Sequence, residues 1–173
     1  MPNIVQDGDP VLRECAQAVP LKDIPSAKIQ KVISDMRMAM ESQKDGVAIA
    51  APQIGVPLRI FMVSDSIMKE ADENYKSIGR NLVFINPEIT KLSRDKHEVE
   101  EGCLSVRWKY GKVSRSIKAT ISGHNEIGEK VVRGASGLLA QVFQHETDHL
   151  DGTLFIDKAF DIQDIPPEEL KKD

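Results

Sequence analysis

His145-Glu146-Thr147-Asp148-His149 places two imidazoles four residues apart, with a carboxylate beside the first. On a helix, residues four apart lie one above the other on the same face, so His145 and His149 can point at one ion. Glu146 can then reach a water held by that ion without binding the ion itself. This is the placement of a general base in metal-assisted hydrolysis. The cation lowers the pKa of its water towards neutrality, and the carboxylate takes the proton. Leu138, Val142, His145 and His149 fall on one stripe at helical spacing, so the histidines continue a core-facing side. His97 and His124 stand in no such pattern and read as ordinary strand or surface residues.

Two histidines leave a catalytic metal one protein ligand short. Downstream, Asp151 and Asp157 are possible, although Asp157 follows an apolar run and looks like a strand end. Upstream, Glu101-Gly102-Cys103-Leu104-Ser105 offers more. Gly102 permits close backbone approach, Cys103 supplies a soft thiolate, and Leu104 supplies a backbone N–H just beyond it. A lone cysteine is commonly a buried structural residue, but beside a two-histidine site ligation is the better reading. Cys15 has no such setting and is taken as packing. Residues 46–55 (GVAIAAPQIG) are dense in small side chains. They suit either a tight crossing of helix and sheet or a wall that substrate backbone can approach, with Gln53 as a polar donor.

The elements that must carry these groups follow from pattern. A helix is expected over 26–43, with Ile29, Val32, Ile33, Met36 and Met40 on one stripe, Ser26 as N-cap and Asp45-Gly46 as stop. Strands are expected over 58–64, 82–86, 117–123 and 129–133, with a hairpin turn at 125–128. Residues 65–80 are polar without period and read as a surface loop, and 134–137 end the strand region. The metal-type helix spans 136–150, closed by Asp151-Gly152. The arm to Pro25 carries four prolines and reads as extended chain, and a short helix is expected over 167–172. The order helix, strands, helix argues α+β, with antiparallel or mixed sheets around the central HExxH helix and one N-terminal helix, not an alternating parallel sheet.

The chain's 173 residues suit a single domain, 1–173, with one core. Its 40% hydrophobic and 29% charged composition argues against disorder and against a membrane protein. The net charge of −4, with dispersed lysines and arginines, argues against nucleic acid as a partner. No apolar run is long enough to cross a bilayer, and residues 1–5 lack the character of a signal peptide. The expected location is the cytoplasm. Two cysteines make no disulfide framework.

Together these segments resemble the peptide deformylases. Residues 8–13 (GDPVLR) look like that family's N-terminal stretch, 46–55 its first motif, 101–105 its second, 145–149 its third, and 154–157 (LFID) the segment after the metal helix. The resemblance covers most of the chain. It implies removal of the formyl group from the initiator methionine of new polypeptides. It further implies a Cys103/His145/His149 metal site, with Glu146 as acid and base, and Gln53 and the Leu104 N–H as oxyanion donors. Glu101 would pair with Arg115. Substrate would lie against Gly46, Val47, Ala48, Gly102, Leu138, Gln141 and Val142, with the methionine side chain near Val47, Leu138, Val142 and His145. The family's metal is commonly ferrous iron, with zinc, nickel or cobalt able to substitute; a thiolate and two imidazoles suit zinc equally on physical grounds. A monomer, with at most transient ribosome contact, goes with this reading. The sequence departs from the family at Ala48 (usually Gly), Ile49 (usually Leu), Arg107 (usually Pro), followed by Trp108, and Gln141 (often apolar). HExxH alone also permits another metal-dependent amide hydrolase or peptidase. The departures leave room for a non-catalytic formyl-peptide binder, against which the retained Glu146 argues.

Overall fold

Ile60-Phe61-Met62-Val63 is apolar at every position because both faces of its strand are covered. The computed structural model describes residues 2–71, 74–77 and 79–166. The expected helix at 167–172 lies outside the described residues. In chain order the elements are α1 (Ala27–Glu41), β1 (Ala48–Ala50), β2 (Ile60–Val63), α2 (Asp65–Ala71), β3 (Leu82–Leu92), β4 (Lys96–Gly102), β5 (Lys109–Ser116), β6 (Lys118–His124), β7 (Lys130–Ser136), α3 (Gly137–Leu150) and β8 (Phe160–Asp164). The first sheet runs β1-β2-β3-β6-β7 and the second β4-β5-β8, with neighbours antiparallel throughout. The fold is α+β, as expected.

Strand alternation divides the five-stranded sheet's side chains between two helices. Ile49, Ile60, Met62, Val83 and Ile85 pack with Ile29, Ile33, Met36 and Met40 of α1. Ala48, Ala50, Phe61, Val63 and Phe84 pack with Leu139, Val142 and Phe143 of α3. Phe61 lies opposite Phe84 in the β2–β3 register. Their ring centroids are 5.0 Å apart, and Phe143 meets Phe84 edge-on at 5.3 Å. This aromatic contact seats the helix that carries the histidines. A smaller core of Leu12, Val106, Val113, Leu154 and Phe155 lies under the second sheet.

The ends of both long helices follow from local chemistry. Ser26 Oγ accepts from the Ile29 N–H at 3.4 Å, as an N-cap does. Beyond α3, Gly152 takes φ +72°, its N–H donates to the His149 carbonyl, and the Thr153 N–H donates to the Asp148 carbonyl. This is a Schellman closure one turn past the second histidine.

Several expectations are corrected. Residues 65–71 form α2 instead of loop, because Ile67 and Met68 are buried against α3's cluster. β1, β4, β5 and β8 were not anticipated, β3 runs on to Leu92, and β7 runs through Gly134 to Ser136. α1 stops at Glu41, before Asp45-Gly46. Gly46 is instead demanded by packing: a Cβ there would run into the Met40 carbonyl oxygen. The N-terminal arm contains 3-10 turns at Pro10–Arg13 and Leu21–Asp23. It also straps the site, donating from Val5 N to the Gln53 carbonyl and from Asp7 N to the Ser105 carbonyl. Asp157 sits in a 3-10 turn, Phe155–Asp157, where it accepts from Leu154 N and pairs with Arg13. Asp151 pairs with Arg59 at 2.7 Å, so both aspartates are engaged away from the histidines. Cys15 is exposed, not packed, and both cysteines are free thiols.

Gly152→Ala is expected to destabilise the fold by more than about 1 kcal/mol, because φ there is positive and an added Cβ would lie 2.6 Å from the Arg13 carbonyl oxygen. Urea denaturation checks this through a lower midpoint at unchanged slope.

Candidate active site

β4 ends at Gly102, directly opposite Tyr110 of β5, and Cys103 follows. A Cβ on Gly102 would lie 2.8 Å from the Tyr110 ring, so only glycine lets that ring lie across the strand end. The turn after Gly102 brings Cys103 to α3. Ligand atoms of Cys103, His145 and His149 all lie within 4.8 Å of one another, with Cys103 Sγ 3.2 Å from His149 Nε2. The two imidazole centroids are 5.0 Å apart. A thiolate and two imidazoles converging on one point suit a divalent cation, with a fourth position left for water or substrate.

The cluster is oriented by charge. Glu101, 5% exposed, receives two hydrogen bonds from Arg115, at 2.7 and 2.9 Å. Its Oε2 also lies 2.8 Å from His145 Nδ1, which turns the other ring nitrogen away from Glu101. Arg115 continues to Asp148 of α3 at 2.6 Å, and Asp148 to Lys158 at 2.7 Å. The expected Glu101–Arg115 pair is therefore present, and it reaches further than the sequence indicated.

These contacts set the protonation states. Burial alone would raise the Glu101 pKa; the His145 and Arg115 hydrogen bonds outweigh it and hold the carboxyl at about 2. Burial would likewise lower the His145 pKa, but contact with Cys103 and Glu101 raises it well above its ordinary value. The Glu101 carboxylate thus holds one ring nitrogen of His145, with the Cys103 sulfur in the same cluster. His149 is held well below its ordinary value by burial and by neighbouring His145. Glu146, 4% exposed, is pushed up to about 7, chiefly by burial. Its Oε2 and His149 Nδ1 are buried polar atoms without a hydrogen-bond partner in the described protein. A carboxylate tuned near neutrality beside a ligand cluster can move a proton in either direction.

Gln53 is 2% exposed, in the 3-10 turn Ala51–Ile54. Its Oε1 accepts from Ala50 N at 2.8 Å, which turns Nε2 towards Ser105 Oγ at 3.2 Å and Cys103 Sγ at 3.5 Å. The Leu104 carbonyl accepts from Gln6 Nε2 at 2.9 Å, fixing that peptide from the N-terminal arm.

A cavity of about 320 Å³ opens beside the cluster. Val47, Ala48, Gly102, Leu138, Gln141 and Val142 all border it, as do Gln53, Cys103, Leu104, His145 and Glu146. Gly46 does not; it belongs to the close approach to Met40. Leu138 is 41% exposed at the opening, so the stripe expected to face the core turns outward at its first residue. Gln141 Nε2 donates to the Glu100 carbonyl at 2.9 Å and ties α3 to β4. Sequence reasoning missed the orienting roles of Gln6, Ser105 and Gln144. Gln144 grips the Ser116 N–H and carbonyl, at 3.0 and 2.9 Å. A polar residue on the buried face of α3 was the available signal.

An α+β fold of antiparallel sheets around an HExxH helix, with a cysteine facing the two histidines, has the form of a metallohydrolase. The family model described as polypeptide deformylase matches residues 1–164, and the chain belongs to this family. It is 42% identical over 160 residues to the peptide deformylase of Carboxydothermus hydrogenoformans, covering 92% of this chain and 93% of that one. It is 41% identical over 165 residues to the chloroplastic peptide deformylase 1A of Solanum lycopersicum, covering 91% of this chain. The chain spans 59% of that protein's length and 61% of the Arabidopsis thaliana relative's. Among solved structures, the peptide deformylase of Thermotoga maritima superposes with a TM-score of 0.78 at 35% identity, covering 92% and 98% of the two chains. The Acinetobacter baumannii enzyme bound to Met-Ala-Ser superposes at 0.77 with 30% identity, covering 90% and 96%.

Arg115→Met would leave Glu101 buried with half its partners. The expected loss of stability is about 3–5 kcal/mol, with Arg115→Lys intermediate, measured by urea unfolding.

Proposed function

We propose that this protein is a metal-dependent hydrolase that removes the N-formyl group from the initiator methionine of new polypeptides, acting as one catalytic domain. The observation that carries this reading is the buried Glu146 carboxyl beside the convergent Cys103, His145 and His149. Those three residues are the proposed ligands. Iron(II) is the metal implied by family resemblance, and zinc, nickel and cobalt also suit one thiolate and two imidazoles. A bound divalent cation supplies Lewis-acid chemistry, polarising a carbonyl oxygen and making water acidic enough to react at neutral pH.

The chain's own groups do the rest. Glu146 takes a proton from the attacking water and returns it to the departing α-amino nitrogen, leaving formate and a peptide with a free N-terminus. Gln53 Nε2 and the Leu104 N–H donate to the oxyanion that develops on the formyl oxygen. Gln53 is held by Ala50 and Ser105, and the Leu104 N–H by the Cys103 carbonyl of the same peptide, which accepts from Val106 N, so both are placed before reaction. The methionine side chain enters the cavity against Val47, Leu138 and Val142. Ala48 and Gly102 line the path of the peptide backbone, and Gln141 gives the pocket a polar edge. The Met-Ala-Ser peptide on the Acinetobacter relative supports a peptidic ligand here. The partner is thus a formyl-methionyl peptide or nascent chain, met by a monomer with at most transient ribosome contact. This reading calls for neither nucleic acid nor membrane as a partner. The compartment that goes with this reading is one where chains start on formyl-methionine, the cytoplasm in a cell without organelles.

Anaerobically prepared protein loaded with iron or nickel is expected to release formate from a formyl-Met peptide; no turnover with metal fully bound contradicts the reading. Glu146→Ala is expected to retain metal and lose at least about 10²-fold in rate. Gln53→Ala should lower kcat by about 10²–10³-fold at nearly unchanged KM. Steady-state kinetics with metal analysis of each variant checks both.

A further inference from the structure

Arg107 stands three residues after Leu104, and its side chain is 19% exposed and borders the cavity. Its guanidinium donates twice to Asp45, at 2.5 and 3.2 Å, and once to Gln43 Oε1, at 2.9 Å. Its Cζ lies 4.8 Å from the centre of the Trp108 ring, within reach of a cation–π contact. Asp45, Arg107 and Trp108 all border the cavity.

Asp45 belongs to the connector between α1 and β1, which leads directly into Val47 and Ala48. Arg107 belongs to the segment that follows Cys103 and Leu104. The guanidinium therefore joins the two segments that border the cavity on either side of Gln53 in the sequence. The connector's direction is fixed by the close approach of Gly46 to Met40 and by the Gly46 N–H donating to the Gln43 carbonyl, so Asp45 is presented to Arg107 by the backbone. A forked, two-point pairing of this kind is directional and stronger than a single exposed ion pair. The Asp45 carboxyl is held below its ordinary range, chiefly by the Arg107 hydrogen bond.

The geometry points to Arg107 as a positioning residue that clamps Asp45, Gln43 and Trp108 into a fixed rim, over which the peptide residues beyond formyl-methionine must pass. Recognition of those downstream residues depends on the clamp, whereas a substrate that ends at methionine does not reach the rim. This inference rests on the function proposed above. It concerns only how the peptide is held: Arg107 touches none of the ligand cluster and takes no part in proton transfer.

The test compares formyl-Met-Ala-Ser with formyl-methionine amide for the parent, Arg107→Ala, Arg107→Lys and Asp45→Asn proteins. In Arg107→Ala and Asp45→Asn, the ratio of kcat/KM for the tripeptide to that for the amide is expected to fall about tenfold, the loss lying in KM. Arg107→Lys keeps the charge without the fork and should fall between. The affinities of unformylated Met-Ala-Ser and methionine amide, measured by calorimetry on the same metal-loaded proteins, should show the same selective loss for the tripeptide. If the parent releases no formate, the proposed function fails and the binding ratio still decides the clamp. An unchanged ratio in both Arg107→Ala and Asp45→Asn, or an equal loss on both ligands, overturns the clamp.

Discussion

The Glu101 carboxylate is the joint on which the site depends. It is buried, it is charged, and it is shared between the Arg115 guanidinium and His145 Nδ1. A buried carboxylate persists in its charged form only if such partners compensate its desolvation. Here they come from different elements, β5 and α3, while Glu101 itself is the last residue but one of β4. One charge thus holds three elements in register and turns one imidazole. Because Cys103 follows Glu101 by two residues, the same joint places the thiolate. The Asp148 and Lys158 contacts extend it along α3 to the segment that leads into β8.

Packing supplies the other constraint. The histidine helix can lie where it does only because β1 and β2 are apolar on both faces, one against α1 and the other against α3. Small residues then decide where backbone comes close. Gly102 admits the Tyr110 ring, and Gly46 admits the Met40 carbonyl. Ala48 of β1 and Val142 of α3 both border the cavity. The cavity thus opens between a sheet edge and a helix, and several of its polar groups are tied down: Gln53 to Ala50, Gln141 to Glu100 and Arg107 to Asp45.

The parts of this arrangement that were legible in the sequence had short-range signatures. The α3 helix, its Gly152 closure and the His145/His149 spacing all lie within one periodic stretch. The hairpin at 125–128 has the φ +87° glycine and the turn hydrogen bonds that its composition implies. β4 and β5 were missed because KHEVEEG and KYGKVSRS are mostly polar; β4 is a sheet edge with little buried area. α2 was missed because its buried residues, Ile67 and Met68, are adjacent and set up no helical stripe. Cys15 was misjudged because the lack of a ligand setting does not bury a side chain. The Glu101–Arg115 pair came from family resemblance, and the Arg107 rim, whose partners are 62 and 64 residues away, had no local signal.

The central claim is that Cys103, His145 and His149 hold one metal ion. X-ray absorption on the zinc-loaded protein tests it most directly. The account predicts one sulfur scatterer at about 2.3 Å and two imidazole nitrogens at about 2.0–2.1 Å, with the sulfur lost in Cys103→Asp. A first shell of nitrogen and oxygen alone in the unmutated protein would contradict it.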